Sequence, residues 1–208
     1  MEAETTRIDI LRRADARAAG LLLSVSHGEY PAFRHVFPAA DVRRRALIPF
    51  MTASAADAAA FGVSTVARDS RGLVGVALWL PPGAFPWSIR RKVRATPALL
   101  RTALSAPRSF PAFAGIGAAA EKVHPPEPHW YLEALGVHPR GQGRGVGTSL
   151  MAEGLRRADA SGLPCYLETS DPANEMFYRR LGFEVVERHL EHIAGGPPYL
   201  GMRRPPRS

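Results

Sequence analysis

The sequence predicts one α/β (α+β) domain over 1–208, with about six to seven strands flanked by helices and a helical insertion, at about 85–123, before the fourth strand. Three observations point there. Short apolar runs of strand length alternate with stretches whose apolar residues recur at helical spacing. No internal repeat or low-complexity linker divides the chain. A proline-punctuated basic stretch separates the third expected strand from the fourth. A chain of 208 residues buries about 70% of its unfolded surface, enough for a core without disulfides or metal.

Ile8 to Arg13 is a candidate first strand, and Ala18, Leu21, Leu22 and Val25 place a helix over Ala14 to Val25, with Asp15 positioned to cap it. Ser26 to Pro38, with His27, Gly28, Tyr30, Pro31 and Pro38, reads as a loop, and the Ala-, Leu- and Met-rich segment Asp41 to Ala60 as a second helix. Val63 to Arg68 and Leu73 to Leu80 form a hairpin across Asp69-Ser70-Arg71-Gly72. Trp87 to Val123 divides into helical pieces, with Thr96-Pro97 and Ala106-Pro107 resembling helix starts. His129 to Val137 is the fourth strand, followed by a glycine-rich loop and a helix from about Val146 to Ala160. Leu163 to Thr169 is the next strand, Asp171-Pro172 caps a short helix that Leu181-Gly182 ends, and Phe183 to Leu190 pairs with Tyr199 to Arg203.

Charge and cysteine usage narrow the class. The net charge is +8, and seven cations with no acid lie between Arg71 and Ala120. A basic stripe of this kind attracts anions, but no zinc finger or other nucleic-acid motif accompanies it, so no nucleic-acid partner is expected. Cys165 is the one cysteine, which excludes an internal disulfide, and its mid-strand place reads as packing rather than catalysis. The longest apolar run, Val74 to Leu80, is too short to cross a bilayer, and the N-terminus lacks a signal-peptide pattern. A cytoplasmic protein without a membrane partner is therefore expected. The histidines show no metal spacing, His189-x-x-His192 standing alone, and no metal is expected.

Gly141, Gly143, Gly145 and Gly147 between a strand and a helix let the backbone approach a ligand and leave outward N–H groups at the helix start. Arg140 and Arg144 add charge, so a pyrophosphate is the natural guest. A P-loop would need Lys-Ser/Thr after its last glycine, and a dinucleotide fingerprint would need glycine where Val146 or Thr148 stands.

Gln142-x-x-Gly145-x-Gly147 resembles the Q/R-x-x-G-x-G/A signature of the GNAT N-acetyltransferases, and Asn174-x-x-x-Tyr178-x-x-x-Gly182-Phe183 resembles the ending of that family. Within it, Glu127 to Arg204 is most similar to the puromycin-acetylating branch, in Leu167-Glu168-Thr169-Ser170 and Phe177 to Phe183, with an echo at Tyr30 to His35. The resemblance implies a mixed sheet splayed near the cofactor, with acetyl-CoA (coenzyme A) as co-substrate. Gln142, Gly143, Arg144, Gly145, Val146, Gly147 and Thr148 would hold its pyrophosphate, Leu135 and Val137 its pantetheine arm, and Asn174 would lie along it. Gly136 would permit a bulge beside them. The Tyr178 hydroxyl would meet the sulfur as general acid. Glu133, a carboxylate in an apolar strand, would be the base directly or through water.

Tyr30, Arg34 and His35 lie where the family builds its acceptor pocket. The expected reaction is direct acetyl transfer in a ternary complex to a primary amine of a small molecule. A protein amine, or a non-catalytic acyl-CoA-binding module, stands as the alternative. The apolar insertion is compatible with a homodimer.

Overall fold

The computed structural model describes residues 6–189 and 193–207, so His192 lies outside the described residues. Seven strands form a single sheet in the order β1-β2-β3-β4-β5-β7-β6. They are β1 (Arg7–Ile10), β2 (Thr65–Asp69), β3 (Gly72–Leu80), β4 (Trp130–Val137), β5 (Cys165–Thr169), β6 (Glu184–His189) and β7 (Tyr199–Arg204). All neighbours run antiparallel except β4 and β5. The sheet is thus mixed, and the insertion precedes its fourth strand.

The two faces carry separate cores. On one lie α1 (Ala16–Ser26), α2 (Pro31–Val36), α3 (Ala40–Ala59), α4 (Ile89–Ser105) and α5 (Phe110–Val123), packed over Val66, Val76, Leu78, Tyr131 and Tyr166. On the other, α6 (Val146–Ala160) and α7 (Pro172–Arg180) cover Ala77, Trp79, Leu132, Leu167 and Met202. Small residues set how closely helices approach. A Cβ on Gly154 of α6 would sit 2.2 Å from the Trp79 indole, and one on Gly75 would meet Val146 and Leu150 at 2.8 Å.

Several local expectations change. The segment Ser26 to Pro38 contains α2, because Pro31 pre-sets the first turn and Ala32, Phe33 and Val36 bury one face. Arg43 of α3 holds this segment from below, donating to Phe37 O (2.7 Å) and Glu29 (3.1 Å). Asp15 does not cap α1 with its side chain; its carboxylate accepts from the Arg12 amide and pairs with Arg68 at 2.7 Å. Pro97 lies inside α4 rather than at a helix start, since α4 is fixed to α3 by Arg91 with Asp57 and by Thr102 with Ala46 O. The following helix starts at Phe110 with Pro111, not at Pro107.

The bulge is not at Gly136. Leu78 pairs with Ala134 and Trp79 with Leu132, so Glu133 is the extra residue. Gly136 answers a close approach instead, because a Cβ there would lie 2.4 Å from Ser26 Oγ.

Candidate active site

The loop after β4 is held in shape by its own chain. A 3-10 turn spans Pro139–Gly141, and Gln142 Nε2 donates to Val137 O at 3.3 Å. Gly143 and Gly145 then take φ of 72° and 76°, which only glycine adopts without strain. Gly145 is the N-cap of α6 and offers no side chain, so the first-turn amides, including those of Val146, Gly147 and Thr148, have no capping partner there. Residues 142–145 and Thr148 are exposed, and buried Val146 anchors the turn to the sheet. This cradle suits a diphosphate by geometry and helix dipole.

Arg140 is not part of it. Its guanidinium is tied to Asp69 at 3.2 Å and Leu73 O at 2.9 Å, whereas Arg144 lies on the exposed loop itself.

Beside the cradle the sheet opens. The parallel pairing of β4 and β5 ends at Leu132 with Leu167, although β4 stays paired to β3 through Val137. The edge of β4 that carries Leu135 and Val137 is therefore free of β5. Across the opening stands α7, whose cap is built by Asp171 accepting from the Ala173 amide at 3.0 Å. Asn174 and Tyr178 are one turn apart on it. Tyr178 is buried in the α6-side core against Phe177 and Phe183. Burial first, then Tyr30 and Asp171 nearby, holds its hydroxyl protonated well above the ordinary phenol range.

Glu133 and Glu168 each directly follow the last parallel-paired residue of their strand. Glu133 faces Asp57, Arg91 and Trp87, and Glu168 faces the hydroxyls of Tyr131 and Tyr166, so both belong to the opposite face from Tyr178. Burial pushes Glu133 up to about 8, with Asp57 adding to the rise and Arg91 and the Trp87 indole opposing it. Its Oε2 is enclosed and has no hydrogen-bond partner among the described residues.

Glu168 is raised to about 7, again by burial, while hydroxyls of Tyr131 (3.4 Å) and Tyr166 (3.3 Å) donate to it and pull the other way. Sequence reasoning assigned no role to Glu168. The signal that singled out Glu133, a carboxylate within an apolar strand, applies equally to Leu167-Glu168-Thr169.

Of the three acceptor-side residues, the structure brings in Tyr30. Its hydroxyl accepts from the Ser170 amide at 2.7 Å and donates to Thr169 Oγ1 at 3.4 Å, tying α2 to the end of β5. Arg34 is exposed and paired with Glu29 at 3.4 Å, and exposed His35 lies near Gly195 and Gly196; the structure does not gather either with Glu133 or Tyr178.

A cavity of about 260 Å³ continues this face beyond Tyr131, lined by Phe85, His124 and His129 among others. Burial drops His124 to about 4 and lowers His129 as well, so both imidazoles are uncharged at neutral pH, while Glu127 lines the exposed rim. Cys165 is buried, its thiol pushed up to about 12 chiefly by burial, which makes it a poor nucleophile. Among the described residues no cluster of three or more His, Cys, Asp or Glu is placed to hold a metal ion.

A family model described as "Acetyltransferase (GNAT) family" matches residues 77–183. Mycothiol acetyltransferase of Streptomyces avermitilis is 40% identical over 78 residues, 36% of this chain and 25% of that protein. Its namesake in Saccharomonospora viridis is 34% identical over 84 residues, 36% of this chain and 28% of that protein. The chain thus spans about a quarter of the length of these relatives, which bear mycothiol's name rather than puromycin's. Among solved structures, "histone acetyltransferase HPA2 and related acetyltransferase" from Corynebacterium glutamicum is 26% identical, with a TM-score of 0.71 and 98% of each chain covered. Arylalkylamine N-acetyltransferase 2 from Aedes aegypti, at 12% identity, a TM-score of 0.61 and coverage of 98% and 100%, shares the fold.

Proposed function

The chain belongs to the GNAT acetyltransferase family, and on that premise we propose that it moves an acetyl group from acetyl-CoA to a primary amine of a small molecule, directly and in a ternary complex. The observation that carries this reading is the opening between β4 and β5, with a protonated tyrosine on one face and two carboxylates of raised pKa on the other. The glycine cradle at the start of α6 holds the diphosphate, and Leu135 and Val137 offer backbone groups along the splayed edge. Asn174 lies along the arm on the α7 side.

An alkyl ammonium, with a pKa near ~10, must lose a proton before it attacks. Glu168 holds the ammonium beside Tyr131 and Tyr166, and Glu133, directly or through a water, takes its proton. The C–N bond forms as the C–S bond breaks, and Tyr178 gives its proton to the departing thiolate. The buried neutral Cys165 leaves direct transfer as the simpler course.

The small-molecule acceptor is supported by the aromatic walls of the cavity beyond Tyr131 and by the name of the curated relatives. A protein amine is the second reading, favoured by the full-length likeness to the C. glutamicum structure. Incubation with acetyl-CoA and a panel of puromycin, aminoacyl compounds, arylalkylamines and basic peptides, read by mass spectrometry, decides between them. Acetylation confined to the small amines is expected. Acetylated peptides alone would give the second reading, and bound acetyl-CoA without any acetylated product would leave a binding module.

A further inference from the structure

Helix α4 is packed inside out. The residues it turns to the protein are mostly small, Ala95, Thr102 and, just past its end, Ala106, with Leu99 the large aliphatic among them and Arg91 reaching inward to Asp57, Ala84 O and the rings of Phe61 and Trp87. The residues it turns outward are large and aliphatic: Ile89 is 82% exposed, Val93 65%, Leu100 58% and Leu104 82%. At 3.6 residues per turn these four fall within about 60° of one another and run for about 22 Å along the helix. Exposed Arg90, Arg94 and Arg101 flank the stripe on one side and Lys92 on the other, the last paired with Glu121 of α5 at 2.8 Å. Neighbouring α5 also exposes uncharged residues, Pro111, Ala114, Gly117 and Ala118.

We propose that α4 seats this protein on an anionic phospholipid surface, with the aliphatic stripe in the acyl boundary and the flanking cations among the phosphates. Charge decides the occupant. Helix α4 has no acidic residue, so any symmetric pairing of two copies through the stripe sets cations of one against cations of the other. Nucleic acid would satisfy the arginines and leave four aliphatic side chains in water. An anionic bilayer interface takes both, and a helix of low overall hydrophobicity with a sharply apolar face lies in such a plane rather than crossing it. Among the described residues no helix is long and apolar enough to cross a membrane, and the grounds for expecting no membrane partner, a short apolar run and no signal-peptide pattern, do not bear on a helix lying at the surface.

The test is co-sedimentation of the full chain with vesicles of phosphatidylcholine, alone or mixed equally with phosphatidylglycerol. Ile89→Gln/Leu104→Gln and Arg90→Gln/Arg101→Gln are measured alongside, with thermal unfolding and activity on a soluble amine to check the fold. Binding that needs phosphatidylglycerol, weakens with salt and drops about tenfold or more in each variant supports the proposal. Binding absent, or unchanged in the aliphatic variant, overturns it. So does a wild-type dimer that the aliphatic variant makes monomeric, which would give the stripe to a second copy.

Discussion

Gly145 and Gly147 lie two residues apart in the proposed diphosphate cradle, yet alanine should act oppositely at them. Gly145 has φ 76° and ψ 1°, and a Cβ there would meet nothing within 4 Å, so the whole penalty of Gly145→Ala is backbone strain. That strain is roughly 1–2 kcal/mol for a left-handed L-residue. If the loop keeps its shape, the loss appears as stability. If the loop relaxes, the amides turn away and acetyl-CoA binds about 5–30-fold more weakly.

Gly147 is already inside α6, where a Cβ would rest 3.5 Å from Phe177 Cζ in ordinary contact. Gly147→Ala should therefore leave binding within about twofold and hold or raise stability, since alanine is the better helix former. Calorimetric titration with acetyl-CoA, paired with denaturant unfolding, measures both quantities for each variant. A Gly145→Ala protein with wild-type affinity and wild-type stability, or a Gly147→Ala protein that binds worse than it, would refute the assignment of the cradle.

Further predictions concern the carboxylates and the core. Glu133 becomes a base only as pH rises through about 8, so kcat should climb through that pH. Glu133→Gln should flatten the profile and lower kcat by roughly 10²-fold or more, as a pH series will show. Glu168→Gln should raise KM for the amine with kcat largely kept, and a fall in kcat alone would exchange the two roles. Both groups hold protons when folded that the unfolded chain releases near the ordinary glutamate value of 4.5. Their contribution to stability is therefore lost as pH rises from about 5 towards 8, and the double Gln variant should lose less over that window in thermal unfolding. Gly154→Ala, driving a Cβ to 2.2 Å from the Trp79 indole, should cost about 1–3 kcal/mol in denaturant unfolding without changing the pH profile.

Features carried by neighbouring residues were legible in the sequence. The glycine turn that opens α6, the Asp171-Pro172 cap and the turn at Gly182, with φ 91°, all depend on a few consecutive residues. The β2–β3 hairpin and the terminal β6–β7 pair were read from turn signals in the same way. What escaped depends on distant partners. The bulge lies at Glu133 because of how β4 registers on β3, which no property of Gly136 reveals. Arg140 looked free for an anion, but Asp69 claims it from 71 positions away.

Glu168 owes its environment to Tyr131 on the adjacent strand as well as to Tyr166 on its own. Pro97 looked like a helix start by local rules, yet Arg91 and Thr102 dock α4 on both sides of it and carry the helix through. Tyr30 reaches the site only through the fold, by a hydrogen bond across 140 positions to Ser170.

The most direct test follows thiol release and acetylated amine together, for wild type and Tyr178→Phe, with acetyl-CoA and the best amine of the panel. The account predicts equal amounts of both products from wild type and a rate lower by roughly 10²-fold in Tyr178→Phe, with acetyl-CoA affinity retained. Full activity in Tyr178→Phe, or thiol released by wild type without acetylated amine, would contradict it.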